Sequence, residues 1–210
     1  MIVIVCGLPA TGKTMTANRI VEKISSEILN TDKIRREIFE QGTLEQVVKS
    51  STPLQFNLQE AFNTEEKIPK RYKELIEEQR QLVYDIMLEQ VKILVLEGKN
   101  VVLDGTFYSR TLRDRVYKIA KYARTKTYVV ECTCPESIVE ERLKNRRTEP
   151  DVLSYVNKMR IYHAVKENYE SPIKDRVTLM VLDTYLDKIT VHYFNGENEE
   201  TEELITALKG

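Results

Sequence analysis

The sequence has few of the residues on which disulfide-rich and zinc-stabilised domains depend. Only 3 of its 210 residues are cysteines, and two of these, Cys132 and Cys134, are separated by a single threonine. An odd count with this spacing argues against a disulfide framework and favours a reducing compartment, so we expect a cytoplasmic protein. No second pair of cysteines or histidines lies close to Cys132 and Cys134 in the sequence, which argues against a zinc site.

Histidines, long apolar runs and an excess of one charge are also scarce. The 2 histidines, His163 and His192, are isolated in sequence and have no partner for a catalytic triad or a metal site. No apolar run reaches the length of a transmembrane helix, and the apolar start of the chain carries no basic leader, so we expect no membrane partner. The net charge of −1 at pH 7 gives no global electrostatic reason to expect nucleic acid binding.

What the chain does have is a phosphate-binding pattern at its start. An apolar, β-branched run, Ile2–Val5, leads into Gly-x-x-x-x-Gly-Lys-Thr, and Met15–Ile24 has helical periodicity. The glycines of such a loop let backbone N–H groups approach phosphate oxygens, and the following helix adds its positive N-terminal end. The pattern therefore predicts a nucleotide-binding loop made of Gly7, Leu8, Pro9, Ala10, Thr11, Gly12, Lys13, Thr14 and Met15.

Two side chains of this loop add chemistry to that of its backbone. Lys13 brings a full positive charge to the β- and γ-phosphates, and the hydroxyl of Thr14 suits a Mg²⁺ ligand. The alternative is an ordinary tight turn between a strand and a helix, with an exposed lysine. The order of strand, glycine loop and helix favours the nucleotide site, with ATP and Mg²⁺ as the expected cofactors.

An acidic and a basic residue follow the second predicted strand. Glu27–Asp32 has the composition of a short strand and Lys33–Phe39 the spacing of a helix, which places Asp32 at the ligand-facing end of a parallel sheet. Arg35 lies on the same side of the first helical turn. A carboxylate there can accept a proton from a substrate hydroxyl, and the arginine can hold a phosphate or carboxylate. The alternative is a helix N-cap with an exposed ion pair.

The stretch after this helix has no clear hydrophobic periodicity at first and then becomes periodic. Residues 43–70 have no clean periodicity, and we expect them to form a mobile substrate cap with some helix. Arg71–Leu96 has the period of one long helix, whose apolar stripe we assign to the core. The run Val101–Thr106 predicts a buried strand, and its Asp104 suits a carboxylate directed at Mg²⁺.

A basic amphipathic helix is predicted over Ser109–Arg124. Its lysines and arginines either form a solvated face or bind a phosphate-rich substrate such as RNA, and the lack of an aromatic stacking pattern favours the first alternative. Arg113 differs from the others because it lies near the ligand end of the sheet.

Three further strands are predicted, the last at a sheet edge: Thr127–Glu131, Val177–Leu182 and Ile189–Phe194. Between the first two, a helix that begins near Pro135 carries Arg142 and Arg146 on one face and Arg147 on another. These arginines either close over a transferring phosphate as a lid, residues 135–150, or form surface ion pairs with neighbouring glutamates.

Taken together, these elements resemble P-loop kinases, most closely the polynucleotide 5′-kinase and zeta-toxin-like group, which also includes archaeal seryl-tRNA kinases. Four stretches carry the resemblance: Gly7–Thr14; Asn30-Thr31-Asp32-x-x-Arg35; Gly98–Phe107 with Arg113 behind it; and Cys134-Pro135 with Arg142 and Arg146. The resemblance implies an α/β fold, a P-loop NTPase three-layer sandwich formed by one domain over residues 1–210. Its five-stranded parallel sheet, with strands named by their first residue, would have the order 27-101-2-127-177, with helices on both faces and a small helical cap and lid.

The resemblance also implies roles for individual residues. The implied catalytic residues are Lys13, Asp32, Arg35, Arg142 and Arg146. The implied metal ligands are Thr14 and Asp104, and the implied substrate contacts are Asp32, Arg35, Asp104, Thr106 and Arg113. Asp32 would act as general base and Arg35 as substrate anchor, while the lid arginine would be Arg142, Arg146 or Arg147.

The expected function is that of an ATP-dependent kinase that transfers the γ-phosphate to a hydroxyl of a nucleic-acid, tRNA-linked or small-molecule acceptor. A regulatory, nucleotide-hydrolysing switch ATPase without an acceptor is the alternative. The sequence lacks the Asn-Lys-x-Asp motif of guanine-binding switches, and Asp32 and Arg35 have no evident task in a switch.

Overall fold

A computed structural model of the chain describes residues 1–39, 70–145, 155–194, 196 and 198–209. The predicted cap over 43–70, apart from its last residue, lies outside the described residues, as do Arg146 and Arg147 of the predicted lid. In the part that is described, no helix combines the length and the apolar character needed to cross a membrane.

A single twisted sheet organises the described residues. Its strands are β1 (Ile2–Cys6), β2 (Glu27–Asn30), β3 (Val101–Asp104), β4 (Thr127–Thr133), β5 (Thr178–Asp183) and β6 (Lys188–His192). The spatial order is β2-β3-β1-β4-β5-β6, and the first five strands are parallel, which confirms the predicted order. The predicted count of five is corrected to six, because the expected edge strand pairs with β5 in antiparallel orientation.

Helices cover both faces of this sheet. They are α1 (Lys13–Lys23), α2 (Thr31–Phe39), α3 (Lys70–Leu96), α4 (Arg110–Tyr122), α5 (Glu136–Asn145), α6 (Tyr155–Glu167) and α7 (Glu199–Leu208), with a short 3-10 helix at Pro172–Lys174. Side chains alternate along the central strand: Ile2 and Ile4 pack with α2, α3 and α4, whereas Val3 and Val5 pack with α1 and α7. Two cores therefore lie on opposite sides of one sheet, which confirms the predicted three-layer sandwich.

Two predicted boundaries are wrong, and each has a local cause. Asp32 belongs to the first turn of α2 and not to the second strand, because the Asn30 side chain accepts a hydrogen bond from the backbone N–H of Lys33 at 2.8 Å and so begins the helix early. The fourth strand continues beyond Glu131, because pairing with β5 extends as far as Thr133 opposite Asp183.

Candidate active site

A cavity of about 880 Å³ lies at the carboxyl ends of the parallel strands, since Asn30 and Asp104, the last residues of β2 and β3, both line it. This position is where open α/β sheets bind their ligands. The predicted site residues that line the cavity are Pro9, Ala10, Gly12, Lys13, Thr14, Met15, Asp32, Arg35, Asp104, Thr106 and Arg142. The volume is at the upper end of the range for small-molecule sites, about 300–1,000 Å³.

The glycine loop between β1 and α1 has a backbone that only glycine can supply at its first position. Gly7 adopts a φ of 133°, and a Cβ added there would lie 2.3 Å from the carbonyl oxygen of Cys132. The loop can therefore pass directly beside β4 only without a side chain. Helix α1 begins at Lys13, so its positive N-terminal end borders the cavity, as an anion site requires.

Lys13 is held inside the loop that precedes it. Its ammonium donates a hydrogen bond to the carbonyl oxygen of Leu8 at 2.8 Å. Burial lowers the pKa of Lys13, and the negative charges of Asp104 and Asp32 act in the opposite direction. A phosphate that entered the loop would provide this partly buried cation with a charged hydrogen-bond partner, which is stronger than the neutral carbonyl.

Asp104 is the centre of a small polar cluster at the ends of β2 and β3. One of its carboxylate oxygens accepts hydrogen bonds from the Thr14 hydroxyl at 2.7 Å and from the Asn30 amide. Burial raises the pKa of Asp104, while the hydrogen bonds from Thr14 and Asn30 act to lower it. The carboxylate and hydroxyl oxygens are hard ligands side by side, so Thr14 and Asp104 fit a Mg²⁺ ion that takes its other ligands from phosphate and water.

Asp32 and Arg35 enter the same cavity from the first two turns of α2. Asp32 is exposed, whereas Arg35 is only partly so. Burial lowers the pKa of Arg35; the nearby Asp32 opposes this effect and the positive charge of Arg80 adds to it. Within the described part of the chain, no hydrogen bond or ion pair is formed by the Arg35 guanidinium.

The wall opposite Asp32 comes from α3 and from the loop after β3. Arg80 donates to Glu77 at 2.7 Å, and its guanidinium lies 4.9 Å from the centre of the Tyr108 ring. The Tyr108 hydroxyl donates to the other oxygen of Glu77 at 2.8 Å. Arg80, Tyr84 and Tyr108 all line the cavity.

The sequence analysis did not single out these wall residues, because in α3 it considered only the apolar stripe, which it assigned to the core. Glu77, Arg80, Gln81 and Tyr84 do share one helical face, with i, i+3, i+4, i+7 spacing, but this spacing is equally typical of a surface ion pair. Asn30 was also missed as a site residue, although its position at the end of a strand beside Asp104 could have identified it.

Arg113 corrects one prediction, because it does not line the cavity. Its side chain is 0% exposed, and its guanidinium donates to Asp175 at 2.6 Å and to the carbonyl oxygens of Phe107 and Glu170 at 2.9 and 2.8 Å. Phe107 has a φ of 43°, a left-handed conformation that is unfavourable for a bulky side chain, and Tyr84 holds its N–H from the other side at 2.9 Å. Arg113 therefore supports the loop that carries Thr106 and Tyr108, from behind.

Arg142 reaches from α5 onto the phosphate loop. Its guanidinium donates to the Ala10 carbonyl oxygen at 3.2 Å and to the hydroxyl and carbonyl oxygens of Thr184 at 3.0 and 3.1 Å. The Thr184 hydroxyl in turn donates to the Thr11 carbonyl oxygen at 2.8 Å. Arg142, one of the three candidates for the lid arginine, thus lies at the mouth of the glycine loop, in contact with the segment after β5.

The model of a protein family described as AAA domain matches residues 2–172 of the chain. No curated protein sequence matches it. Among similar solved structures, a candidate kinase from Chloroflexus aurantiacus has 13% identity and a TM-score of 0.61, with 97% of this chain and 94% of that chain covered. A gluconokinase from Sinorhizobium meliloti has 14% identity and a TM-score of 0.52, with 99% and 90% covered.

A third similar structure is Kti12 from Chaetomium thermophilum in complex with ADP-AlF3, with 16% identity, a TM-score of 0.54, and 98% of this chain and 96% of that chain covered. At such identities, the three structures establish the fold and nothing finer. They confirm the α/β P-loop NTPase fold that the glycine loop and the strand order predict.

Proposed function

We propose that this chain, which belongs to the AAA domain family, is an ATP- and Mg²⁺-dependent kinase that transfers the γ-phosphate to an acceptor hydroxyl. One observation carries the proposal: a single cavity is lined both by the phosphate loop with Lys13 and by the exposed carboxylate of Asp32. Phosphoryl transfer depends mainly on positioning and on neutralising charge, so these two groups in one space are the parts that the reaction needs.

The nucleotide half consists of the loop and the two oxygen ligands beside it. Backbone N–H groups of Gly7–Met15 would hold the phosphates, and Lys13 would exchange its bond to Leu8 for the β- and γ-phosphate oxygens. Thr14 and Asp104 would hold Mg²⁺. When bound, Mg²⁺ would supply positive charge that offsets the negative charge of the nucleotide phosphates.

The acceptor half faces this loop from α2. Asp32 would accept the proton of the attacking hydroxyl, a role open to a carboxylate that is exposed to the cavity. Arg35 and Thr106 would orient the acceptor. Arg142, which is hydrogen-bonded to the phosphate loop, would move with this loop when the nucleotide binds. Arg146 and Arg147 remain the other candidates for the lid arginine.

Several classes of acceptor remain in this proposal. The resemblance to polynucleotide 5′-kinases and seryl-tRNA kinases favours a nucleic-acid or tRNA-linked hydroxyl, and the similar gluconokinase structure supports a small molecule. The similar Kti12 structure in complex with ADP-AlF3 supports nucleotide binding by this fold. In α4, Arg115 pairs with Asp85 at 2.6 Å, which favours the solvated face over an RNA-binding one at that point.

The test supplies γ-labelled ATP, Mg²⁺ and cell extract separated into RNA and small-molecule fractions. Lys13→Ala should lose both nucleotide binding and transfer. Asp32→Ala should keep nucleotide binding and lose transfer by about 10²- to 10⁴-fold, the usual contribution of a general base. Lys92→Ala is the matched control, because Lys92 is ion-paired on the surface of α3 and does not line the cavity.

The outcomes separate the candidates. Label in the RNA fraction would identify an RNA kinase, and label in the small-molecule fraction would identify a metabolite or nucleoside kinase. Full transfer activity in Asp32→Ala would refute its role as the base. Label released only as free phosphate, with no acceptor dependence, would replace the kinase with a nucleotide-hydrolysing switch.

A further inference from the structure

We propose that Glu131 is a positioning residue, which lies outside the cavity but holds two of its walls in place. It acts through the strap, defined as Tyr169–Ser171, the segment that follows α6 in the chain. Glu131 itself does not line the cavity. Its effect on an acceptor rests on the proposed kinase function, whereas the anchoring of the strap does not.

The first observation is a buried carboxylate whose two oxygens are both held by the strap. Glu131 is only 6% exposed in β4, between Val130 and Cys132, which are also buried. One of its oxygens accepts a hydrogen bond from the Tyr169 hydroxyl and the other from the Ser171 hydroxyl, each at 3.0 Å. A buried carboxylate is costly unless it is hydrogen-bonded, so the strand and the strap stabilise each other at this point.

The second observation is that the strap reaches the start of the phosphate loop. Cys6, the last residue of β1, is the register partner of Glu131 in β4, and the Tyr169 hydroxyl lies 3.7 Å from the Cys6 sulfur. Burial raises the pKa of Tyr169, and the nearby Cys6 and Glu131 raise it further, so the hydroxyl keeps its proton and remains a donor. The strap is therefore fixed where β1 passes into the glycine loop.

The third observation is that the strap also holds the acceptor wall of the cavity. The backbone N–H of Glu170 donates to the carbonyl oxygen of Tyr108 at 2.7 Å, and Tyr108 lines the cavity. The Glu170 carboxylate accepts a hydrogen bond from the backbone N–H of Arg110 at 2.6 Å, and its carbonyl oxygen accepts one from Arg113 at 2.8 Å. One residue of the strap thus joins the loop after β3 to the beginning of α4.

The fourth observation is that a second wall of the cavity ends in the strap. Helix α6 ends at Glu167, two residues before the strap, and its Ile161 and Val165 line the cavity. The wall at Tyr108 and the wall formed by α6 therefore meet in one short segment. Because Glu131 binds this segment on both sides of Glu170, a loss of its hydrogen bonds should loosen both walls together.

The test compares Tyr169→Phe, Glu131→Leu and Glu131→Gln in the full-length chain. Tyr128→Phe is the matched control, because Tyr128 is also in β4 and its hydroxyl also donates to a glutamate, Glu200. Tyr128 belongs to the core on the opposite face of the sheet and does not line the cavity. Tyr169→Phe and Tyr128→Phe should each lower the melting temperature by about 2–4 °C, as expected for one lost hydrogen bond.

The first measurement is hydrogen exchange, which requires no acceptor. Exchange of the Glu170 amide should rise about 3- to 10-fold in Tyr169→Phe and Glu131→Leu, because the hydrogen bond of this amide to Tyr108 opens more often. It should stay at the wild-type rate in Tyr128→Phe. Glu131→Gln should lie close to the wild type, because an amide still offers one polar atom to each strap hydroxyl.

The second measurement separates positioning from general loss of stability. In the labelling assay, Tyr169→Phe should raise the KM for the acceptor about 3- to 10-fold, and Glu131→Gln should restore it. Affinity for the β,γ-imido analogue of ATP should change less than 2-fold, because the glycine loop keeps its own contacts with β4 and with Thr184. Tyr128→Phe should change neither quantity.

Unchanged exchange of the Glu170 amide in Tyr169→Phe, or an equal rise in Tyr128→Phe, would overturn the anchoring of the strap. Faster exchange in a chain that transfers no label would sustain the anchoring and refute the kinase. Transfer with a wild-type acceptor KM in Tyr169→Phe would refute the positioning role and leave the kinase intact. If Glu131→Leu does not fold, Tyr169→Phe decides, because it removes one hydroxyl and adds no volume.

Discussion

Replacing Arg113 with methionine should destabilise the protein more than any surface substitution of the same kind. The two side chains of the Arg113–Asp175 pair are 0% and 1% exposed, and the shortest distance between them is 2.6 Å. Methionine fills much of the same volume but leaves the Asp175 carboxylate with the Tyr117 hydroxyl at 2.7 Å and the more distant Arg110, at 3.9 Å, as partners. The buried Asp175 charge then lacks its nearest cation and is only partly compensated.

The magnitude follows from this geometry. Removing one partner of a buried ion pair costs about 3–5 kcal/mol, and the proximity of Arg110 places this case near the lower value. For a domain of this size, each 1 kcal/mol lowers the melting temperature by about 2–4 °C, so the loss should be about 6–12 °C. Because Arg113 also holds the Phe107 carbonyl oxygen, the loop that bears Thr106 and Tyr108 should loosen, which raises the KM for acceptor and leaves nucleotide affinity nearly constant.

The assay is urea and thermal unfolding of the wild type, Arg113→Met, Arg113→Lys and Arg115→Met. Arg113→Lys should fall between the first two, since it restores the charge without the fork that contacts two carbonyl oxygens. Arg115→Met removes an exposed pair with Asp85 and should change the free energy of unfolding by about 1 kcal/mol or less. If Arg113→Met cost no more than Arg115→Met, the assignment of Arg113 as a buried positioning residue would be refuted.

Three further predictions concern the nucleotide half. Gly7→Ala should abolish nucleotide binding and lower the melting temperature, because the new Cβ would clash with the Cys132 carbonyl oxygen. Gly98 is the control: it also has a positive φ, but no atom lies within 4 Å of an added Cβ, so Gly98→Ala should cost only the backbone strain of about 1 kcal/mol. Equal losses in the two variants would contradict the clash. Asp104→Asn should weaken Mg²⁺-dependent nucleotide binding yet stabilise the ligand-free chain near neutral pH. Since burial raises the pKa of Asp104 above its ordinary value of 3.8, the stability that this group contributes is present below that value and is lost as pH rises through the folded pKa. Unfolding curves at about pH 4 and at neutral pH should therefore show a larger gain at neutral pH, and a gain that failed to grow would refute the shift. Arg142→Gln should weaken nucleotide affinity about 10-fold through loss of its bond to the phosphate loop, measured by titration with the imido analogue, and wild-type affinity would show that this contact is dispensable.

The parts of the fold that could be predicted are those whose signals are contiguous in the chain. The strand Ile2–Cys6, the glycine loop and α1 follow one another without a gap, so apolar pattern, glycine spacing and helical period reinforce each other. The strand order came from the resemblance, and the register of β1 with β3 and β4 confirms it. Asp32, Arg35 and Asp104 could be predicted to share one cavity because Asp104 ends β3 and the other two lie in the first turns of the helix that follows β2, at the same edge of the sheet.

What the sequence could not reveal depends on partners distant in the chain. The Arg113 side chain points away from the cavity because it pairs with Asp175, a residue that the sequence pattern places in a connecting segment. Glu77 and Arg80 have the spacing of an ordinary surface pair, and only the arrival of Tyr108 from the loop after β3 turns them into a wall of the cavity. Local sequence patterns do not predict contacts between residues that are distant in the chain, because tertiary contacts override local propensity.

The position of β1 in the centre of the sheet also bears on how the chain acquires its shape during synthesis. Its Ile2 pairs on one side with Val101 and on the other with Thr127, so neither neighbour exists when the first helix leaves the ribosome. Pairings between such remote segments form slowly, because a long loop must close before they bring any gain. Cys132, whose carbonyl lies against Gly7, comes later still. The phosphate loop is therefore made well before the downstream segments against which it packs.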